Sequence, residues 1–144
     1  MPHRVILLVE DNENDEVLAL RALRNANILN PVIVLRDGAE ALDYLHAQGA
    51  YSGRNVADTP QVILLDLNLP KIGGHDVLRA IRADSRTKLI PVVLLTSSKQ
   101  DRDVIEGYNL GANSYVVKPV DFSQFSAAVV QLGLYWLLRN ERAP

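Results

Sequence analysis

Four short runs of uninterrupted apolar residues recur along the chain: Val5–Val9, Val32–Leu35, Val62–Leu65 and Val92–Leu95. Each gives way abruptly to polar or charged residues. A strand with water on one side alternates apolar and polar side chains, whereas a run without alternation belongs to a strand covered on both faces, as in a parallel sheet. Ser114–Val117 is a fifth, weaker run. The stretches between carry helix-like content: Asn14–Asn25, Ala39–Gln48 before Gly49, His75–Ala83 after Gly73-Gly74, and Asp101–Leu110, which stops at Gly111. The last begins at Phe122, after Asp121 as N-cap with Gln124 three residues on, and runs to about Arg139.

Strand and helix thus alternate five times with short links. That pattern implies right-handed crossovers and an α/β fold. We expect a doubly wound five-stranded parallel sheet in the flavodoxin-like order 2-1-3-4-5, with helices on both faces. Gly49–Pro60 is read as a long loop. The 144 residues fit one domain, 1–144, with an extended apolar C-terminal helix over about 122–139. A 48% hydrophobic content excludes disorder over most of the length. The absence of cysteine removes disulfide scaffolds, thiolate zinc sites and cysteine nucleophiles. A net charge of -2 offers nothing to nucleic acid or anionic lipid. Five apolar residues ending in Glu10-Asp11 are too few for a signal peptide, and Ala127–Leu138 falls short of the roughly twenty residues that span a bilayer. A cytoplasmic protein is expected.

In a doubly wound sheet the ligand site lies at the carboxyl ends of the strands, where strand order reverses. The residues there are Glu10-Asp11, Arg36-Asp37, Asp66, Thr96-Ser97 and Lys118-Pro119. All but the second set converge on one pocket. Three neighbouring carboxylates raise one another's pKa, and a hard divalent cation relieves the conflict. Asp11 and Asp66 offer carboxylates to Mg²⁺, a carbonyl after Asp66 offers another oxygen, and Glu10 suits a metal-bound water. Lys118 supplies a point charge and Thr96 a hydroxyl. Such a set handles phosphoryl groups, and an aspartate can accept one. Each residue alone has an ordinary explanation as a cap, a turn or a strand edge; the joint placement is what points to chemistry. Arg36-Asp37-Gly38 reads as a turn into a helix, and His3, His46 and His75 as surface residues.

These residues make the chain resemble a response-regulator receiver domain of two-component signalling, of the chemotaxis-type single-domain kind. The matching pieces are Val9-Glu10-Asp11-Asn12, Leu64-Leu65-Asp66-Leu67-Asn68-Leu69-Pro70, Gly73-Gly74, Leu95-Thr96-Ser97 and Val117-Lys118-Pro119, within Arg4 to about Arg139. The resemblance implies that Asp66 is the phosphoacceptor. It implies Mg²⁺ ligation by Asp11, Asp66 and the Asn68 carbonyl with Glu10 assisting, phosphoryl contacts from Thr96 and Lys118, and a switch aromatic at Tyr115. Glu10 stands where Asp is commonest, and Ser97 where Ala is usual. The long loop before the third strand, Asp66–Lys71 and the aromatic C-terminal helix resemble the regulators that partner bacterial phytochrome histidine kinases.

The implied mechanism is transfer from a kinase phosphohistidine to Asp66, after which Thr96 moves inward, Tyr115 turns toward the interior, and the face of the fourth helix, fifth strand and fifth helix changes shape. The protein would catalyse only its own phosphorylation and dephosphorylation. With no DNA-binding module read after the receiver, output is expected through protein contacts. The nearly all-apolar Ala127–Leu138 suggests a second buried face and a homodimer through Phe125, Val129, Leu132, Tyr135 and Trp136. Two rivals remain. One is a phosphorylation-independent interaction module on the same fold. The other is a haloacid-dehalogenase-type phosphatase, which wants an acid at position 68, where this chain has Asn68.

Overall fold

The structure, a computed structural model, describes residues 4–97 and 106–131. The apolar runs are strands: β1 (Ile6–Val9), β2 (Val32–Leu35), β3 (Val62–Asp66), β4 (Val92–Thr96) and β5 (Ser114–Val117). They form one parallel sheet in the order β2-β1-β3-β4-β5. Every residue of β1, β3 and β4 is buried, because each has a strand on both sides and helices above and below. The edge strands β2 and β5 are only partly covered.

The helices are α1 (Glu13–Asn25), α2 (Gly38–His46), α3 (Gly74–Ala83), α4 (helical at 106–109 among the described residues) and α5 (Phe122–Gln131). Alternate strand residues face opposite sides, and this splits the core in two. Ile6, Leu8, Leu64 and Leu95 pack with Ala19, Leu23, Phe125 and Val129 of α1 and α5. Leu7, Val9, Ile63 and Leu94 pack with Ala41, Leu45, Leu78 and Ile81 of α2 and α3. Uninterrupted apolar strands are what such a double core requires.

Local signals set the helix starts. Asn12, Asp37 and Asp121 each cap a helix, accepting from the backbone N–H of Asp15, Glu40 and Gln124 at 3.0, 2.7 and 2.8 Å. Arg36-Asp37-Gly38 is thus the entry into α2. The stretch 49–60 departs from a plain loop: Gly49–Tyr51 is a 3-10 turn, the Tyr51 hydroxyl donates to Glu40 at 2.8 Å, and the Arg54 guanidinium lies 3.7 Å over the Tyr44 ring. The sequence pattern misses this because the contacts run back to α2 rather than to neighbours in the chain. The half-buried Arg82 guanidinium donates to Gly111 and Ile90 carbonyls at 2.9 and 2.7 Å and to Asn113 at 2.9 Å, tying the end of α3 to the entry of β5.

Two expectations are corrected. Phe125 and Val129 are not a dimer-forming stripe: they are 2% and 4% exposed, turned with Ala128 onto the sheet. Covering β1, β3 and β4 takes the most apolar side of α5, so its exposed large apolar residues are instead Phe122 and Val130, 47% and 63% exposed. Leu132, Tyr135 and Trp136, and the helix beyond Gln131, lie outside the described residues. His46 is no free surface residue: its Nε2 is 3.4 Å from Asp84 at the end of α3, with both side chains largely covered. His75 is half-buried, and His3 lies outside the described residues. No described helix is long and apolar enough to cross a membrane.

Candidate functional site

Register brings the strand-end residues level. Val9 pairs with Leu65, so Glu10, one residue on, arrives beside Asp66; Thr96 pairs with Val117, so Lys118 follows directly. The alternation that puts Leu8, Leu64 and Val116 on the α1/α5 side puts Glu10, Asp66 and Lys118 there too. Lys118 is held by its N–H to the Thr96 carbonyl at 2.7 Å and precedes a cis peptide bond to Pro119.

The Lys118 ammonium meets three carboxylates. It donates to Asp66 Oδ2 and to Asp15 Oδ2, each at 3.0 Å, and lies 2.9 Å from Glu10 Oε1. That last contact is an ion pair without hydrogen-bond alignment, so Glu10 Oε1 remains a fully buried oxygen with no hydrogen bond. Burial first, and the hydrogen bond to Asp66 second, push the Glu10 carboxyl up to about 7, with Lys118 partly opposing. Burial alone would lower the Lys118 pKa, but Glu10, Asp66 and Asp15 together hold it well above the ordinary lysine value.

The Glu10, Asp11 and Asp66 carboxylates offer oxygens within 4.8 Å of one another. Two are buried and Asp11 is exposed, so the cluster opens to solvent at Asp11. A hard divalent cation fits this all-oxygen donor set, and the buried Glu10 oxygen lacking a hydrogen bond is what such a cation or its water would satisfy. Asn68 lies in the loop after β3, which folds back on the site: the Asn68 N–H donates to Asp66 Oδ1 at 3.0 Å. No acid stands at position 68, where a haloacid-dehalogenase-type phosphatase would use one to protonate a leaving group. Lys71 of the same loop lies 3.3 Å from Asp37, and Gly38 N–H reaches the Pro70 carbonyl at 3.5 Å, fastening the loop to α2.

Thr96 is buried at the end of β4, and Tyr115 lies on the adjacent β5, opposite Leu94. Tyr115 is 39% exposed, stacked edge-on against Tyr108 with ring centroids 6.1 Å apart. A groove of about 300 Å³ runs beside them, lined also by Ser114, Val117, Gln124, Ala127 and Ala128.

Asp15 is the site residue that sequence reasoning missed. It sits in the first turn of α1 with Glu13 and Glu16, where acids favour the helix dipole whatever else they do. Only the fold shows which of the three reaches the lysine.

Comparison with known proteins agrees with this geometry. Residues 6–130 match the response regulator receiver domain family. Among relatives, the chain is 41% identical to the probable methanogenesis regulatory protein FilR2 of Methanothrix harundinacea, over 97% of this chain and 87% of that one. It is 40% identical to the response regulator Rcp1 of Synechocystis, over 94% and 90%. Among solved structures, the bacteriophytochrome response regulator RtBRR superposes with a TM-score of 0.87 at 50% identity, covering 99% of this chain and 85% of that one. The phosphorylated cyanobacterial phytochrome response regulator RcpA gives 0.77 at 38%, covering 98% and 97%. The Mn²⁺-bound form of Rcp1 gives 0.76 at 38%, covering 98% and 99%.

Proposed function

Because this chain belongs to the response regulator receiver family, a family of signalling proteins rather than metabolic enzymes, we propose that Asp66 is the residue that takes up the phosphoryl group, from a histidine kinase of the phytochrome type. The observation that carries the reading is the meeting of Glu10, Asp11, Asp66 and Lys118 at three strand ends of one sheet. An Asp66 carboxylate oxygen attacks phosphorus, the bond from phosphorus to the donor histidine nitrogen breaks, and the electron pair returns to the imidazole. Lys118 holds Asp66 on one side and meets the phosphoryl oxygens on the other; Thr96 supplies a hydroxyl at the end of β4. Mg²⁺, held by Asp11, Asp66 and the Asn68 carbonyl with Glu10 assisting, would offset negative charge on the transferring group. Incubation with phosphorylated bacteriophytochrome kinase tests the partner: rapid transfer to the wild-type chain supports it, and transfer no faster than from an unrelated histidine kinase contradicts it.

Protonation of Glu10 makes cation binding depend on pH. Its raised pKa means that the protonated form stabilises the metal-free fold at low pH, a contribution lost as pH rises through about 7. A cation requires the ionised form. Affinity for Mg²⁺ therefore rises about tenfold per pH unit below that value and levels off above it. Calorimetric titrations at several pH values measure this; equal affinity throughout would contradict it.

Output runs through the face of α4, β5 and α5, where the exposed Tyr115 and the groove beside it provide a surface that rotation of the ring would change. Homodimerisation is assigned to α5: its Phe122 and Val130 are exposed, and apolar residues continue along the sequence at Leu132, Tyr135 and Trp136. Light scattering gives a dimer mass for the wild type at micromolar concentration and a monomer for Val130→Asp; a wild-type monomer, phosphorylated or not, defeats the homodimer.

A further inference from the structure

An ammonium group has three protons, and the Lys118 ammonium faces three carboxylates from three elements. Glu10 and Asp66 belong to the phosphoryl site. Asp15 does not: it lies outside the acidic cluster of Glu10, Asp11 and Asp66, yet its Oδ2 accepts from Lys118 at 3.0 Å. Its carboxylate is not needed as a cap, since Asn12 caps α1 by accepting from the Asp15 backbone N–H. That cap orients the first turn so that the Asp15 side chain reaches across the strand ends to the residue after β5. At 25% side-chain exposure, against 2% for Asp66 and none for Glu10, it is the partner on the solvent side of the lysine.

We propose that Asp15 is a positioning residue that restrains Lys118 in the unphosphorylated protein and so weights the equilibrium against the phosphorylated one. The inference rests on the reading of Asp66 as phosphoacceptor. A phosphoryl group on Asp66 brings new anionic oxygens to the side where Lys118 now meets Asp66 Oδ2. To reach them the ammonium must redirect a proton while Asp15 pulls it toward solvent. Asp15 also adds negative charge at the entrance, which an incoming anion meets first. Removing that charge acts in one direction on both counts: the ammonium is freed for the phosphoryl oxygens and the entrance becomes less repulsive.

Beryllofluoride, which mimics a phosphoryl group when joined to a carboxylate oxygen, reads the equilibrium without turnover. In the presence of Mg²⁺, binding is followed by fluorine NMR for the wild type, Asp15→Asn and Asp15→Glu. Asp15→Asn is expected to bind about five- to tenfold more tightly, the strength of a charge-assisted hydrogen bond discounted for partial exposure. Asp15→Glu, which restores the charge, returns toward the wild-type value. In the metal-free protein, the Lys118 ammonium signal in nitrogen-correlated NMR broadens in Asp15→Asn as its protons exchange faster with water. A residue that merely scaffolds the site gives the opposite sign, because a looser site binds less tightly. Equal or weaker binding by Asp15→Asn therefore overturns the proposal. Absence of beryllofluoride binding to the wild type removes the phosphoacceptor reading and this inference with it.

Discussion

Replacing Asp66 with asparagine abolishes phosphoryl uptake from acetyl phosphate and Mg²⁺ while leaving the fold intact. The amide matches the carboxylate in shape, so β3 keeps its packing, and the Asn68 N–H that now donates to Asp66 Oδ1 at 3.0 Å still finds an oxygen. What disappears is the anionic oxygen that attacks phosphorus and one counter-charge of Lys118, which keeps Glu10 and Asp15. Loss of label is complete, because the neighbouring acids serve other ends: Glu10 is buried against the lysine, and Asp11 lies at the solvent side of the cluster. A second consequence separates this substitution from simple damage. The hydrogen bond and charge of Asp66 both raise the Glu10 pKa, so its removal lets Glu10 ionise at lower pH. The pH at which metal-free stability declines through Glu10 moves down accordingly. Radiolabel from acetyl phosphate and unfolding curves across pH measure the two effects; equal label in both proteins would take Asp66 out of its role.

Gly74→Ala is expected to be among the most damaging single changes on the scaffold. A β-carbon at Gly74 would lie 2.4 Å from the Asp66 carbonyl oxygen and 2.6 Å from the Leu67 α-carbon. Both are backbone atoms at the end of β3, so neither can swing aside. The first turn of α3 is pressed directly on the residue that carries the site, and the Gly74 N–H closes the loop by donating to the Leu67 carbonyl at 3.1 Å. Adding a methyl group must push α3 and the β3 end apart, at a cost of about 3 kcal/mol, or roughly 10 °C in Tm. Cation affinity falls with it, because Asp66 and Asn68 move. Gly73→Ala is the control: nothing lies within 4 Å of a β-carbon there, and its stability stays within about 0.5 kcal/mol of the wild type. Thermal unfolding of the two variants side by side checks the contrast; equal melting temperatures would contradict it.

That pair of glycines also marks how far the sequence can be read. Gly73-Gly74 is visible as a break before α3, but which one the backbone needs depends on the Asp66 carbonyl, remote from any local pattern. The strands are legible because a doubly covered sheet leaves no polar position in β1, nor in β3 or β4 before their last residues, Asp66 and Thr96. Asp66 and Lys118 are legible because each interrupts an apolar run at the end where such sheets bind ligands. Asp15 is not, since Glu13 and Glu16 give the same first-turn signal. The faces of α5 are half legible: the apolar content shows that the helix packs on the core, but not which residues do so. Yet Phe125 and Val129 belong to the sheet while Phe122 and Val130 belong to the surface, and that division is settled by the sheet. The ties from Tyr51 and Arg54 back to α2 join residues by side chains alone and leave no periodicity to detect.

Chemical trapping of the phosphorylated protein addresses the central claim most directly. An aspartyl phosphate reduced by borohydride leaves homoserine at the modified position, which peptide mass spectrometry identifies. The account predicts one homoserine per chain, at position 66, formed after incubation with phosphorylated kinase and Mg²⁺ and absent when a chelator removes the cation. Homoserine at another carboxylate, or equal yield with the chelator present, would contradict it.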